Sequence, residues 1–159
     1  MTKECKQQFT LRITQANPTQ LVVILYEMLL CYLDEAKEAL EIQDKTAFTE
    51  ATRKARGCIN ELLSSLHVEY EVAQQMQKLY LFCIRRLATA TRKKDKAPLQ
   101  EVQKVLKPLR DAYAEIAGLN TSEPVMKNAQ TIYTGLTYGK TASLKESLTD
   151  GESGRGMFV

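Results

Sequence analysis

The sequence predicts an all-α fold, an antiparallel four-helix bundle followed by a short additional C-terminal helix. Apolar residues recur at three- and four-residue steps through four successive stretches, and the links between those stretches are short and polar. A chain of 159 residues with 44% hydrophobic residues is also long enough to close one core around them.

The first bundle helix opens at Asn17-Pro18-Thr19-Gln20, where Asn17 suits the N-cap, Pro18 the first helical position and Gln20 the far end of a capping box. It is expected to run from 18 to 42. Within it, residues 21 to 33 are apolar on almost every side, interrupted only by Glu27. Leu21, Leu25, Met28, Leu29, Tyr32 and Ala36 make one stripe, and Val23, Tyr26, Leu30 and Leu33 fill the opposite side. One stripe serves a two-layer bundle. The second implies a helix covered all round, or one whose spare face meets a partner.

Gln43, Asp44 and Lys45 form a polar turn, after which Phe48, Thr52, Ala55, Ile59, Leu62 and Leu66 mark the second helix. His67, Val68 and Glu69 read as the next link. Ala73, Met76, Tyr80, Cys83, Leu87 and Ala90 carry the third helix to Arg92, and Lys93, Lys94 and Lys96 place positive charge at its C-terminal end. Asp95 can cap the fourth helix, whose stripe is Leu99, Val102, Leu106, Leu109, Tyr113 and Ile116, with Gly118 as its stop. Pro108 falls inside that pattern, removes a backbone hydrogen bond and is expected to bend the helix. Val125, Ala129, Ile132, Tyr133 and Leu136 then share roughly one face of a further short helix, before a glycine-rich flexible tail. Two regions follow: a bundle over 1–118 and an extension over 119–159.

Composition narrows the chemistry. The longest apolar run, 13 residues, is short of the roughly 20 that a bilayer needs, so no membrane insertion is expected. The N-terminus is polar and has no signal-peptide pattern, which makes cytoplasmic residence the default expectation. A net charge of +3 is too mild to point to nucleic acid, and the basic residues Arg85, Arg86, Arg92, Lys93 and Lys94 lack the interleaved aromatics of a nucleic-acid site. Cys5, Cys31, Cys58 and Cys83 have neither zinc nor redox spacing, and the last three read as small packing residues. The one histidine, His67, stands at a helix end, where it caps or faces solvent; a phosphotransfer role would want it mid-helix. No Glu-x-x-His pair or glycine-rich phosphate loop is present, so the expectation is a non-enzyme with no cofactor and no metal.

Several segments together resemble the flagellar export chaperone family FliS. The residues are Asn17-Pro18-Thr19-Gln20-Leu21, Ile24-Leu25-Tyr26, Leu33-Asp34-Glu35-Ala36, Glu61-Leu62-Leu63-Ser64-Ser65-Leu66, Leu79-Tyr80, and Arg86-Leu87 followed by Lys93-Lys94-Asp95. They stand in the family's order across residues 10 to 117. Asn17 replaces the usual serine cap, Phe9 stands where a tyrosine is frequent, and Tyr113 where a tryptophan is frequent.

The resemblance implies binding of the disordered C-terminal segment of flagellin, prevention of its premature polymerisation in the cytoplasm, and delivery to the flagellar export gate. It also implies an N-terminal cover segment over part of the binding surface, for which Phe9, Leu11 and Ile13 are the apolar residues here. The expected partner-binding residues are Leu21, Val23, Ile24 and Tyr26 on the first bundle helix, Ile84 and Leu87 on the third, and Ile13 in the cover. Val125, Ile132 and Leu136 of the extension are expected either to imitate flagellin on the same groove or to cap the bundle. The alternative to a flagellin chaperone is a helical scaffold or dimerising adaptor.

Overall fold

Each helix begins and ends where local chemistry requires. In the computed structural model, which describes residues 1–126, the order is α1 (Lys3–Gln15), α2 (Pro18–Glu41), α3 (Lys45–Ser64), α4 (Glu71–Lys93) and α5 (Ala97–Leu119). The helices α2 to α5 are the four expected bundle helices. The capping box at Asn17 is complete: the Gln20 N–H donates to the Asn17 side chain and the Asn17 N–H to the Gln20 side chain, each at 2.9 Å. Asp44 accepts from the Ala47 N–H at 2.9 Å and starts α3. Lys94 ends α4 in the left-handed conformation, with φ at 55°.

Asp95 does accept from the Ala97 N–H at 3.0 Å, although Lys96 is the residue at the N-cap of α5. The helix continues through Pro108. Pro108 and Lys104 are both exposed, so the backbone bond that the proline removes lies on the outer face of the helix. The further helix expected from Val125 to Leu136 lies, beyond Met126, outside the described residues.

Short links force successive helices antiparallel, and α2 packs on both α3 and α5 to close the ring. The core is the sum of the four stripes. All six residues of the α4 stripe are buried, as are Phe48, Thr52, Ala55, Ile59 and Leu62 of α3. On α5 the stripe holds through Leu106, but Ile116 is 53% exposed, because the end of the helix runs past the core.

Polar contacts fix the register around that core. Gln103, itself buried, donates to Asp34 at 2.8 Å and accepts from Lys37 at 2.9 Å, clipping α5 to α2. Arg86 donates to Glu101 at 2.7 Å across α4 and α5. At the opposite end from the α2–α3 turn, the Tyr26 and Tyr80 hydroxyls are hydrogen-bonded in the core, and the Tyr113 ring lies 5.6 Å from that of Tyr26.

The segment before the bundle is itself a helix. Thr2 caps α1 by accepting from the Cys5 N–H at 3.2 Å. The stripe Cys5, Phe9, Ile13, Ala16 then faces α2, at steps that only a helix brings onto one side. Leu11 falls off this stripe and is 58% exposed, so Phe9 and Ile13, without Leu11, form the contact.

Candidate functional site

The apolar surplus of α2 is accounted for by three neighbours, α3, α5 and α1. The second stripe, Val23, Tyr26, Leu30 and Leu33, is buried throughout. Phe9, Ala16 and Ile24 form a small buried cluster beside the main core, edged by Ile13, Leu21 and Met28. Glu27, the lone charge in the apolar run, is where Arg12 of α1 docks, at 2.5 Å. Arg12 also lies over the Phe9 ring, 5.7 Å from its centroid.

The amino group of Met1 meets Glu35, Cys5 meets Cys31, and Arg12 meets Glu27, so α1 runs antiparallel along α2. Its hold is slight. Phe9 is the one residue of α1 that is buried, and among the described residues α1 packs chiefly on α2. Burying such a side chain is worth about 1.5 to 3 kcal/mol, and the exposed Arg12 pair contributes under about 1 kcal/mol.

The chain after α5 returns to the same place. The Val125 N–H donates to the Ala16 carbonyl at 2.9 Å, Asn17 Nδ2 to the Asn120 carbonyl at 3.4 Å, and Asn120 Nδ2 to Thr19 Oγ1 at 2.7 Å. Residues 120–125 thereby strap the junction between α1 and α2. The remaining residues of the extension proposed to dock on the groove, Ile132 and Leu136, lie outside the described residues.

Beside the strapped junction is an open cleft of about 360 Å³ lined by Arg12, Ala16, Gln20, Val23, Ile24, Ala114 and Ala117. A second cleft, of about 450 Å³, lies between α3 and α4 with Ile84, Leu87 and Ala88 on one wall and Thr52, Arg53, Arg56 and Arg92 around it. The seven expected partner-binding residues thus fall in three places. Ile13, Leu21, Val23 and Ile24 gather under and beside α1; Ile84 and Leu87 line the second cleft; and Tyr26 is fully buried against Tyr80.

The sequence reading left out Cys5, Arg12 and Ala16. The i, i+4, i+8, i+11 spacing of Cys5, Phe9, Ile13 and Ala16 carries the signal that these residues share a face.

Burial, reinforced by the Tyr80 hydroxyl, pushes the Tyr26 phenol far up, and burial pushes Tyr80 up to about 12, so both stay protonated and one donates to the other. Burial likewise holds the Cys58 and Cys83 thiols up at about 11. His67 lies exposed in the link between α3 and α4, 3.4 Å from Glu69. Among the described residues no group of acids, histidines or cysteines is placed to hold a metal ion, and no helix is long and apolar enough to cross a membrane. What the geometry offers is apolar surface on α2 under a loosely held helix, which suits the reception of another amphipathic segment.

Comparison with known proteins points the same way. The chain is 31% identical over 103 residues to the flagellar secretion chaperone FliS of Bacillus subtilis (strain 168), covering 65% of this chain and 77% of that protein. It is 32% identical over 108 residues to the flagellar secretion chaperone FliS of Salmonella typhimurium (strain LT2), covering 66% of this chain and 80% of the relative. Residues 1–120, which span α1 to α5, match the family model of the flagellar protein FliS, and the chain belongs to that family.

Proposed function

We propose that this chain, a flagellar secretion chaperone of the FliS family, takes flagellin as its client. It binds the disordered C-terminal segment in the cytoplasm, keeps it from polymerising early, and delivers it to the flagellar export gate. The observation that carries this reading is the covered face of α2: Ile24, edged by Leu21 and Met28, lies beneath a helix that contributes one buried side chain, Phe9. A client segment that folds into amphipathic helices offers several anchors against that one. A few anchors at about 1.5 to 3 kcal/mol each offset an ordering cost of about 2 to 5 kcal/mol and displace α1 as well.

In this reading Ile13 belongs to the cover, Leu21 and Ile24 are the surface it gives up, and Val23 lines the open cleft beside it. Ile84 and Leu87 in the second cleft supply a further foothold for a client long enough to wrap around the bundle. Tyr26 supports that surface from inside the core and meets a client only when the helices part. The activity is binding, and it calls for no catalysis and no cofactor.

Titration of the full chain with a peptide from a flagellin C-terminus, against a scrambled control, tests the proposal. Saturable binding with a gain in helical signal is expected, because the peptide folds as it docks. Absence of binding at high micromolar peptide would remove flagellin as the client and leave the scaffold or adaptor role in its place.

A further inference from the structure

Antiparallel pairing of α1 with α2 sets two cysteines face to face. Cys5 and Cys31 are free thiols, both half-buried and both packed at the edge of the Phe9, Ala16 and Ile24 cluster, opposite each other in the register that Met1 with Glu35 and Arg12 with Glu27 set. One stands on the mobile partner of the interface as the proposed function has it, the other on the fixed bundle. Cys58 and Cys83 are buried in the core.

We propose that Cys5 and Cys31 form a thiol oxidation site for peroxides, and that the resulting disulfide locks α1 over α2. The Cys5 thiolate attacks one peroxide oxygen, the O–O bond breaks, and hydroxide leaves to give a sulfenic acid at Cys5. The Cys31 sulfur then attacks the Cys5 sulfur, forming the S–S bond as the sulfenic oxygen departs as water with the Cys31 proton. In sum, two thiols and one hydrogen peroxide give one disulfide and two waters, the thiols losing the two electrons that the peroxide gains. Burial, then the neighbouring Cys5, Asp34 and Glu35, push the Cys31 thiol up, which keeps it a thiol and slows its attack in the second, resolving step.

The consequence for client binding rests on the proposed displacement of α1, whereas the oxidation site itself does not. With α1 tied to α2, the open form is depopulated and apparent affinity falls in proportion.

The test uses the full chain, reduced and then treated with hydrogen peroxide. Intact mass is expected to fall by about 2 Da and to recover with dithiothreitol, and non-reducing peptide mapping is expected to join Cys5 to Cys31. Cys5→Ser and Cys31→Ser each abolish the change. Addition of oxygen without a cross-link, a cross-link between two chains, or a bond to Cys58 or Cys83 would overturn the site. Binding of the flagellin peptide is then compared in the two forms, with a weakening of about tenfold or more expected on oxidation and reversal on reduction. Equal affinity in the cross-linked and reduced forms would overturn the lock. A reduced protein that fails to bind the peptide would count against the proposed client and not against the oxidation site, which the mass and mapping decide.

Discussion

The hydroxyls of Tyr26 and Tyr80 meet inside the bundle, and each satisfies the other. Replacing one alone, as in Tyr26→Phe, leaves the other buried and unpartnered, at a cost of about 1 to 3 kcal/mol. The double variant Tyr26→Phe with Tyr80→Phe removes both polar groups and is expected to recover much of that loss; urea unfolding of the four proteins measures the coupling. Gly57 lies mid-way through α3, where an added Cβ would meet nothing within 4 Å. Gly57→Ala is therefore expected to stabilise the protein by about 0.5 to 1 kcal/mol, read as a higher urea midpoint with an unchanged slope. Neither residue was assigned these roles from the sequence. Tyr26 stands in an apolar stripe whatever it pairs with, and the partner of its hydroxyl lies on another helix.

Among the elements, α1 is the one held by the fewest buried contacts. Deleting residues 1–16 is expected to raise the fluorescence of a hydrophobic dye, because Ile24, Leu21 and Met28 lose their cover, and to raise flagellin-peptide affinity several-fold as the competition from α1 disappears. Far-UV dichroism should retain the α2 to α5 signal; unchanged dye binding and affinity would remove the cover role. The strap over 120–125 makes a separate claim. Truncation after Leu119 removes its bonds to Ala16, Asn17 and Thr19. If the strap holds α1 down, that truncation also raises dye binding; if it serves the bundle alone, the melting temperature falls and dye binding stays level. The segment 1–16 was expected as a cover on family resemblance. Its helical form rests on a stripe one residue wide, and the polar residues around it dilute that signal in the sequence.

Over the whole molecule, stability depends on how the ring of four helices is closed, and the α2–α5 seam is the closure. Burial works to raise the Asp34 carboxyl, but hydrogen bonds from Lys37 and Gln103 outweigh it and hold the group below the usual carboxylate range. A lowered folded-state pKa means that this contribution is present above the unfolded-state value, about pH 4, and is lost as pH falls through the folded-state value. Asp34 is more than half exposed, so screening keeps the contribution to about 0.5 kcal/mol. Melting curves from pH 6 to pH 2.5 are expected to show Asp34→Asn less stable at pH 6 and converging with the parent protein at the acid end. A constant gap across that range would mean that the carboxylate charge plays no part.

By itself the sequence determined the four bundle helices, the cap at Asn17 and nearly all of the bundle core, because those depend on periodicities and capping patterns that repeat within one segment. The α4 stripe and the Asn17 capping box are found as read. The order of six short motifs also pointed to the family to which the chain belongs. Only the tertiary structure decided what the surplus apolar face of α2 meets. A stripe looks alike whether it faces a core, a groove or a cover, and the distinction arises between segments far apart in the chain. Ile24 became a covered position once Phe9 and Ala16 were placed on it, and Cys5 acquired a neighbour once α1 was laid antiparallel along α2. Those pairings are set by packing in three dimensions, which no local pattern records.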